Sequence, residues 1–432
     1  FNTQHSTFKK PFNIQKMKKH KLMAIAIATA TACMSFMSCS DNNQDPAESS
    51  VELSYTLPAS LNGATVSNAK VTFSDINTGR SQTFDLTGSA ATVTVADGLY
   101  DVELSGEIAY AVNGATVTSH LRAMQNNVTI SGGKATIALS ADAVSAKSGF
   151  VLAEIAVSGT LTPDGDTYDS DKYFRIYNNS DQTLYADGLT IFESAFTNDD
   201  PEEYNPDLRG SALTVNVAYM IPGNGHEHPV EPGQSLLLVD VGANHAKTNA
   251  NSYDLSKADF EWYDEEEYGE DTDTDVPNLI KIITTDEYGE SVGLWAPHSR
   301  GVKTYAIGYL GDEANPVSVS DFLTKYKYTY TYKFFSGEYS FDMDGTAYMV
   351  PNAWIADCVN MRPQHTEKSW LCSASSLDAG FAYNSSLEYD ENRYGKAVRR
   401  KWNSSTKKLV DTNNSTTDFE SMVTANPYYT FK

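Results

Sequence analysis

Three of the eight histidines in this 432-residue sequence, His226, His228 and His245, fall within twenty residues of one another. His226-Glu227-His228 stands between Gly223-Asn224-Gly225 and Pro229, a loop that can bend to converge ligands, and His245 follows a predicted strand at 236–241. Neutral imidazoles beside a carboxylate suit zinc, copper or iron. His226, Glu227, His228 and His245 are therefore candidate ligands for a divalent metal ion, against the plainer reading of a solvated polar loop. Asp271, Asp273 and Asp275 have the D-x-D-x-D opening of a calcium loop. However, Val276 stands where an EF-hand needs Gly, and Ile282 where it needs a bidentate Glu. That leaves a looser calcium site or a solvated acidic loop. Tyr326, Tyr328, Tyr330 and Tyr332 alternate with polar residues, and period two puts all four on one face of a strand. That face either packs on the core or forms an exposed platform for a sugar or a planar cofactor. Cys358 and Cys372 can pair in an oxidising compartment or stay buried as free thiols. No G-x-S-x-G elbow, H-E-x-x-H, P-loop or dinucleotide fingerprint occurs, so no enzyme is expected. A glycosidase is the remaining catalytic option, although acid pairs are too plentiful here to single out a dyad.

The elements that must position these residues begin with an address. Lys18, Lys19 and Lys21 precede an apolar run at 22–37, which has the length of a signal-peptide core rather than of a membrane span. Phe36-Met37-Ser38-Cys39 resembles a bacterial lipobox, with Cys39 as the lipid attachment site. Residues 1–16 read as upstream translation, 17–38 as the signal peptide and 39–50 as a lipidated tether. The polar stretch 40–46 resembles the tether by which Bacteroidota lipoproteins reach the outer face of the outer membrane; the alternative is a plain flexible linker.

Beyond Cys39 the chain holds 26 of the 32 Lys and Arg and all 56 Asp and Glu, a net charge of −30. Such a surface repels nucleic acid, which is excluded as a partner, and anionic lipid. Short alternating strands fill 51–142, broken by turn signals at Asn77-Thr78-Gly79, Asp97-Gly98 and Asn113-Gly114. The expectation is an all-β chain of two β-sandwiches: a spacer at 51–142 and a larger domain at 149–432, with long insertions at 193–220 and 241–341.

Resemblances extend this reading. Gly98-Leu99-Tyr100-Asp101-Val102 resembles the G-x-Y-x-V strand of carboxypeptidase-regulatory-like or transthyretin-like sandwiches. The order FVLAEIAV at 150–157, YFRIY at 173–177, then Pro232-Gly233 before the aliphatic 236–239 resembles a lamin-tail-like sandwich. Residues 254–261 (DLSKADFE), 351–357 (PNAWIAD), 397–401 (AVRRK) and 411–419 (DTNNSTTDF) resemble an uncharacterised family of Bacteroidota lipoproteins, catalogued as a domain of unknown function. The resemblance implies an outer-membrane, surface-exposed, non-enzymatic accessory of a TonB-type uptake system, iron acquisition among them, with a TonB-dependent receptor as partner. An adhesive or structural protein binding glycan or matrix is the alternative.

Overall fold

Alternation becomes burial along the first strands. In Glu48–Thr56 the side chains of Val51, Leu53 and Tyr55 turn inward, and in Gly98–Val112 the even positions from Tyr100 to Val112 do so, apart from Gly106. The computed structural model describes residues 47–432, apart from 113, 145–148, 265–270, 312–315 and 337–338. The signal stretch and Cys39 lie outside the described residues, as does Asn113 of the hairpin signal. Two sheets form the first sandwich. Glu48–Thr56 lies between Ala90–Ala96, to which it is antiparallel, and Lys134–Ser140, to which it is parallel. Facing them is a five-stranded sheet in the order Ser81–Asp85, Thr65–Asp75, Gly98–Val112, Ala115–Ile130, Asp142–Val144. Strands expected at 100–104 and 108–112 are one strand, and so are those at 115–121 and 128–130. The polar residues at 105, 107 and 125 sit in ladder positions, and Asn127 (φ 57°) lies at the irregularity where the long hairpin shifts register between Tyr100 and Val102.

The second sandwich pairs a six-stranded sheet, Phe260–Glu261, Ser235–Val239, Tyr173–Asn178, Phe150–Ala156, Lys396–Arg400 and Phe419–Thr424, with an eight-stranded one. The latter runs Tyr204–Asn205, Lys327–Ser336, Tyr339–Pro351, Ala212–Met220, Thr190–Ser194, Thr304–Gly308, Ile355–Asn360, and Ile280–Thr284 pairs onto Ala212–Met220. Several of its strands come from the two stretches expected as surface insertions, so those stretches build half of the sandwich. All seven residues of Phe150–Ala156 and all six of Tyr173–Asn178 are buried. Their continuous apolar character follows from cover on both faces. One face meets the inter-sheet core of Phe174, Tyr219, Trp262, Trp295 and Tyr305. The other is covered by Leu255, Val276, Leu409 and Phe431.

Charges inside this sheet are paired. Glu154, fully buried, accepts from Arg399 at 2.7 Å, from the Tyr173 hydroxyl at 2.6 Å and from the Asn426 amide. Arg400 reaches Asp357 at 2.6 Å and Asp418 at 3.5 Å, with Phe419 under its guanidinium. A single apolar cluster runs from Val51 and Leu104 of the first sandwich to Tyr326, Tyr348, Ala353 and Trp354 of the second, and residues 46–432 form one unit. No helix among the described residues is long and apolar enough to cross a membrane.

Candidate functional site

The loop carrying the histidines is shaped by a residue far away in sequence. Asp187 sits in the turn Ala186-Asp187-Gly188 ahead of Thr190–Ser194, buried at 7% exposure. Its carboxylate accepts from the backbone amides of Gly225 (3.1 Å), Glu227 (2.8 Å) and His228 (2.9 Å), and the Ala186 amide donates to His228 O. Burial acts to raise this carboxyl. The amides of Glu227, His228 and Gly225 outweigh it and hold the group below the ordinary carboxylate range. A Cβ on Gly223 (φ 128°) would lie 2.1 Å from Asp187 Oδ1, so only glycine fits where the loop passes the acid.

Within this arrangement Asp187, Glu227 and His228 present ligand atoms within 4.8 Å of one another, with His228 set edge-on to Phe260. The expected foursome is divided. His226 lies against the Tyr185 ring, 4.7 Å between centroids. His245 is buried elsewhere, its Nε2 donating to Val241 O at 2.8 Å and its Nδ1 meeting the Tyr168 hydroxyl at 2.7 Å. With both ring nitrogens engaged, His245 is no ligand, and Asp187 stands in its place. An imidazole and two carboxylates fit a divalent metal with open positions. Three of the roughly four lone-pair directions of Asp187 are already used. Glu227 and His228 would supply most of the binding.

The other candidates take structural places. Asp271 caps the Asp264 and Thr272 amides, and Asp273 accepts from Asn278. Among the described residues these two and Asp275 do not converge as a cation site. Tyr326, Tyr328 and Tyr330 are each 5% exposed, and Tyr332 is half-buried. Tyr328 bonds Thr214 at 2.6 Å, and Tyr326 packs on Phe322 and Trp354. Of the two readings of this face, packing on the core is the one observed and the exposed platform is not: Phe196, Tyr204 and Trp354 cover the rings of Tyr326, Tyr328 and Tyr330. Cys358 and Cys372 are both buried and free, and burial pushes the Cys372 thiol up to about 12.

Sequence reading missed Asp187, whose only local signal is the Asp-Gly turn. It also missed the aromatic end of the hairpin formed by Lys327–Ser336 and Tyr339–Pro351. There Phe334, Phe335, Tyr339 and Phe341 are exposed, at 51%, 66%, 74% and 51%. Phe334 pairs directly with Phe341 in register.

Residues 231–426 match the family model described as "Protein of unknown function (DUF4876)". No curated protein matches the chain. The crystal structure of a DUF4876 family protein from Bacteroides thetaiotaomicron superposes with a TM-score of 0.52 at 20% identity, covering 88% of this chain and 96% of that one. The two share a fold.

Proposed function

We propose that the chain is a non-enzymatic, lipid-anchored protein of the outer-membrane surface that serves a TonB-type uptake receptor, by presenting ligand to it or by capping it. The observation that carries this is the hairpin end. Phe334, Tyr339 and Phe341 lie exposed on one face of the ribbon end, with Phe335 exposed on the other, and such aromatic surface is of the kind that other proteins cover. The strands are rooted in the eight-stranded sheet, where Tyr204–Asn205 pairs with 331–332 and Ala212–Met220 with 348–351. The lamin-tail-like character of the second sandwich is part of the same reading. It is supported by the succession Phe150–Ala156, Tyr173–Asn178, Ser235–Val239, each antiparallel to the next. Asp187, Glu227 and His228 suit a divalent metal, in keeping with a role in iron or metal uptake. Cys39 supplies the anchor, with more than one acyl chain for durable attachment.

Affinity isolation of the full chain from detergent-solubilised outer membranes tests the reading. A β-barrel partner should co-purify, and Phe335→Ser/Tyr339→Ser/Phe341→Ser should release it. Isolation of the parent without any barrel sinks the proposal. Cys39→Ala should move the protein from the membrane to the soluble fraction.

A further inference from the structure

Beside the root of the same hairpin lies a cavity of about 310 Å³ that shares only Phe334 with the exposed aromatic end. Its apolar walls are aromatic: Phe196, Tyr330, Tyr332 and Phe334. Phe196 packs on Tyr204 at 4.3 Å between centroids and meets Tyr330 edge-on at 5.2 Å, and Tyr330 continues to Tyr332 at 5.9 Å. Its polar lining includes the carboxylates of Asp200, Glu202 and Glu287. Lys368 neutralises Asp200 at 2.7 Å, whereas Glu202 and Glu287 have no cation within ion-pair reach among the described residues.

The walls are fixed before any ligand arrives. Trp370 Nε1 donates to Thr197 O at 2.6 Å and to Asp200 O at 2.8 Å. Asn198, wholly buried, donates to Thr304 Oγ1 and Met361 O and accepts from the Cys372 amide. The Thr346 amide holds Glu287 O at 2.8 Å against the hairpin. Negative charge faces the rings. Burial and then neighbouring Asp200 raise the Glu202 carboxyl, and the charge of Glu287 adds to burial in raising the Tyr332 hydroxyl.

Aromatic faces are electron-rich, and beside carboxylates they recognise cations whose bulk is apolar. The lining offers carboxylates and the hydroxyls of Thr197, Tyr330 and Tyr332, with no Lys or Arg side chain, so it carries net negative charge, which favours a cation over a neutral sugar. Anions are repelled. We infer that this cavity is a binding site for an organic ammonium group, held between Glu202 and Glu287 with its carbon substituents on Tyr332 and Phe334.

The inference rests on the reading of the chain as a binding protein, and its test is separable from that of the receptor. Choline, its neutral carbon isostere and glucose are titrated onto the purified full chain by ligand-observed NMR. Choline should saturate at about 10 mM or tighter, with the isostere at least about tenfold weaker. Glu202→Gln and Tyr332→Ala should each weaken choline about fivefold or more, with the melting temperature as a check of folding. Glu287→Gln, at an exposed lining position away from the packed rings, is a second variant that should weaken choline likewise without loss of folding. Equal binding of choline and isostere, preference for glucose, no saturation by choline, or parent-like binding in the folded variants overturns the inference. Loss of choline binding with the barrel still co-purified removes the cavity alone, and the reverse result removes only the receptor.

Discussion

Asp187 organises the histidine loop by accepting amides, and only secondarily offers a position to a metal. Asp187→Ala leaves the three loop amides of Gly225, Glu227 and His228 without their charged acceptor and should cost about 1–2 kcal/mol. Hydrogen exchange at Gly225, Glu227 and His228 should quicken, while exchange in Phe150–Ala156 is unchanged. Because the folded carboxyl lies below its unfolded value, its stabilisation is fully present above about pH 4 and fades as pH falls through the lowered value. Protection of those amides should persist at pH 5 and decline in stronger acid; protection lost between pH 7 and 5 would contradict the assignment. Zinc calorimetry separates the histidines. His228→Ala should abolish binding and His226→Ala should leave it intact. His245→Ala should leave it intact too, while removing the partner of the Tyr168 hydroxyl at about 1–3 kcal/mol. The His-Glu-His triplet was legible in the sequence because its members are adjacent. Asp187 was not, since its approach depends on the short pairing of Tyr185 with Pro229.

At the scale of the element, period two in the Tyr326–Tyr332 stretch correctly predicts one shared face. It carries no information on what covers that face, which is supplied by Phe196, Tyr204 and Trp354 from other parts of the chain. Tyr330→Ala should therefore destabilise by about 3–5 kcal/mol, and Phe335→Ser by under about 0.5 kcal/mol. Denaturant midpoints compare the two, and similar shifts would return the tyrosines to the surface. Arg399→Ala strips Glu154 of its buried counter-charge and should cost about 3–5 kcal/mol. The run FVLAEIAV was readable as a buried strand, but its glutamate had no visible partner, because Arg399 lies 245 residues downstream. The all-β class was legible from turn spacing. The merging of four expected strands into two was not, because turn-forming residues at 105–106 and 125–127 are tolerated in a long solvated ribbon.

At the scale of the molecule, the apolar cluster shared between the sandwiches predicts cooperative behaviour. Calorimetric unfolding of residues 40–432 should give one transition, with calorimetric and van't Hoff enthalpies agreeing. Two resolved transitions would show that the shared cluster couples the sandwiches weakly. The net charge of −30 beyond Cys39 keeps such a chain dispersed, and it draws cations toward both the His228 loop and the aromatic cavity. Composition foretold that bias, while the places where it is concentrated depend on tertiary neighbours.

The parallel pairing of Glu48–Thr56 with Lys134–Ser140 has a mechanical meaning. Were the chain anchored at Cys39 as proposed, tension would enter at the start of the first strand and leave toward the second sandwich past the end of the other. Opposite ends of two parallel strands are then pulled apart lengthwise, so seven paired positions from Ser50 to Thr56 resist together in shear instead of parting one at a time like a zipper. Under the proposed anchor, the first sandwich would carry any pull on the protein through hydrogen bonds that share the strain.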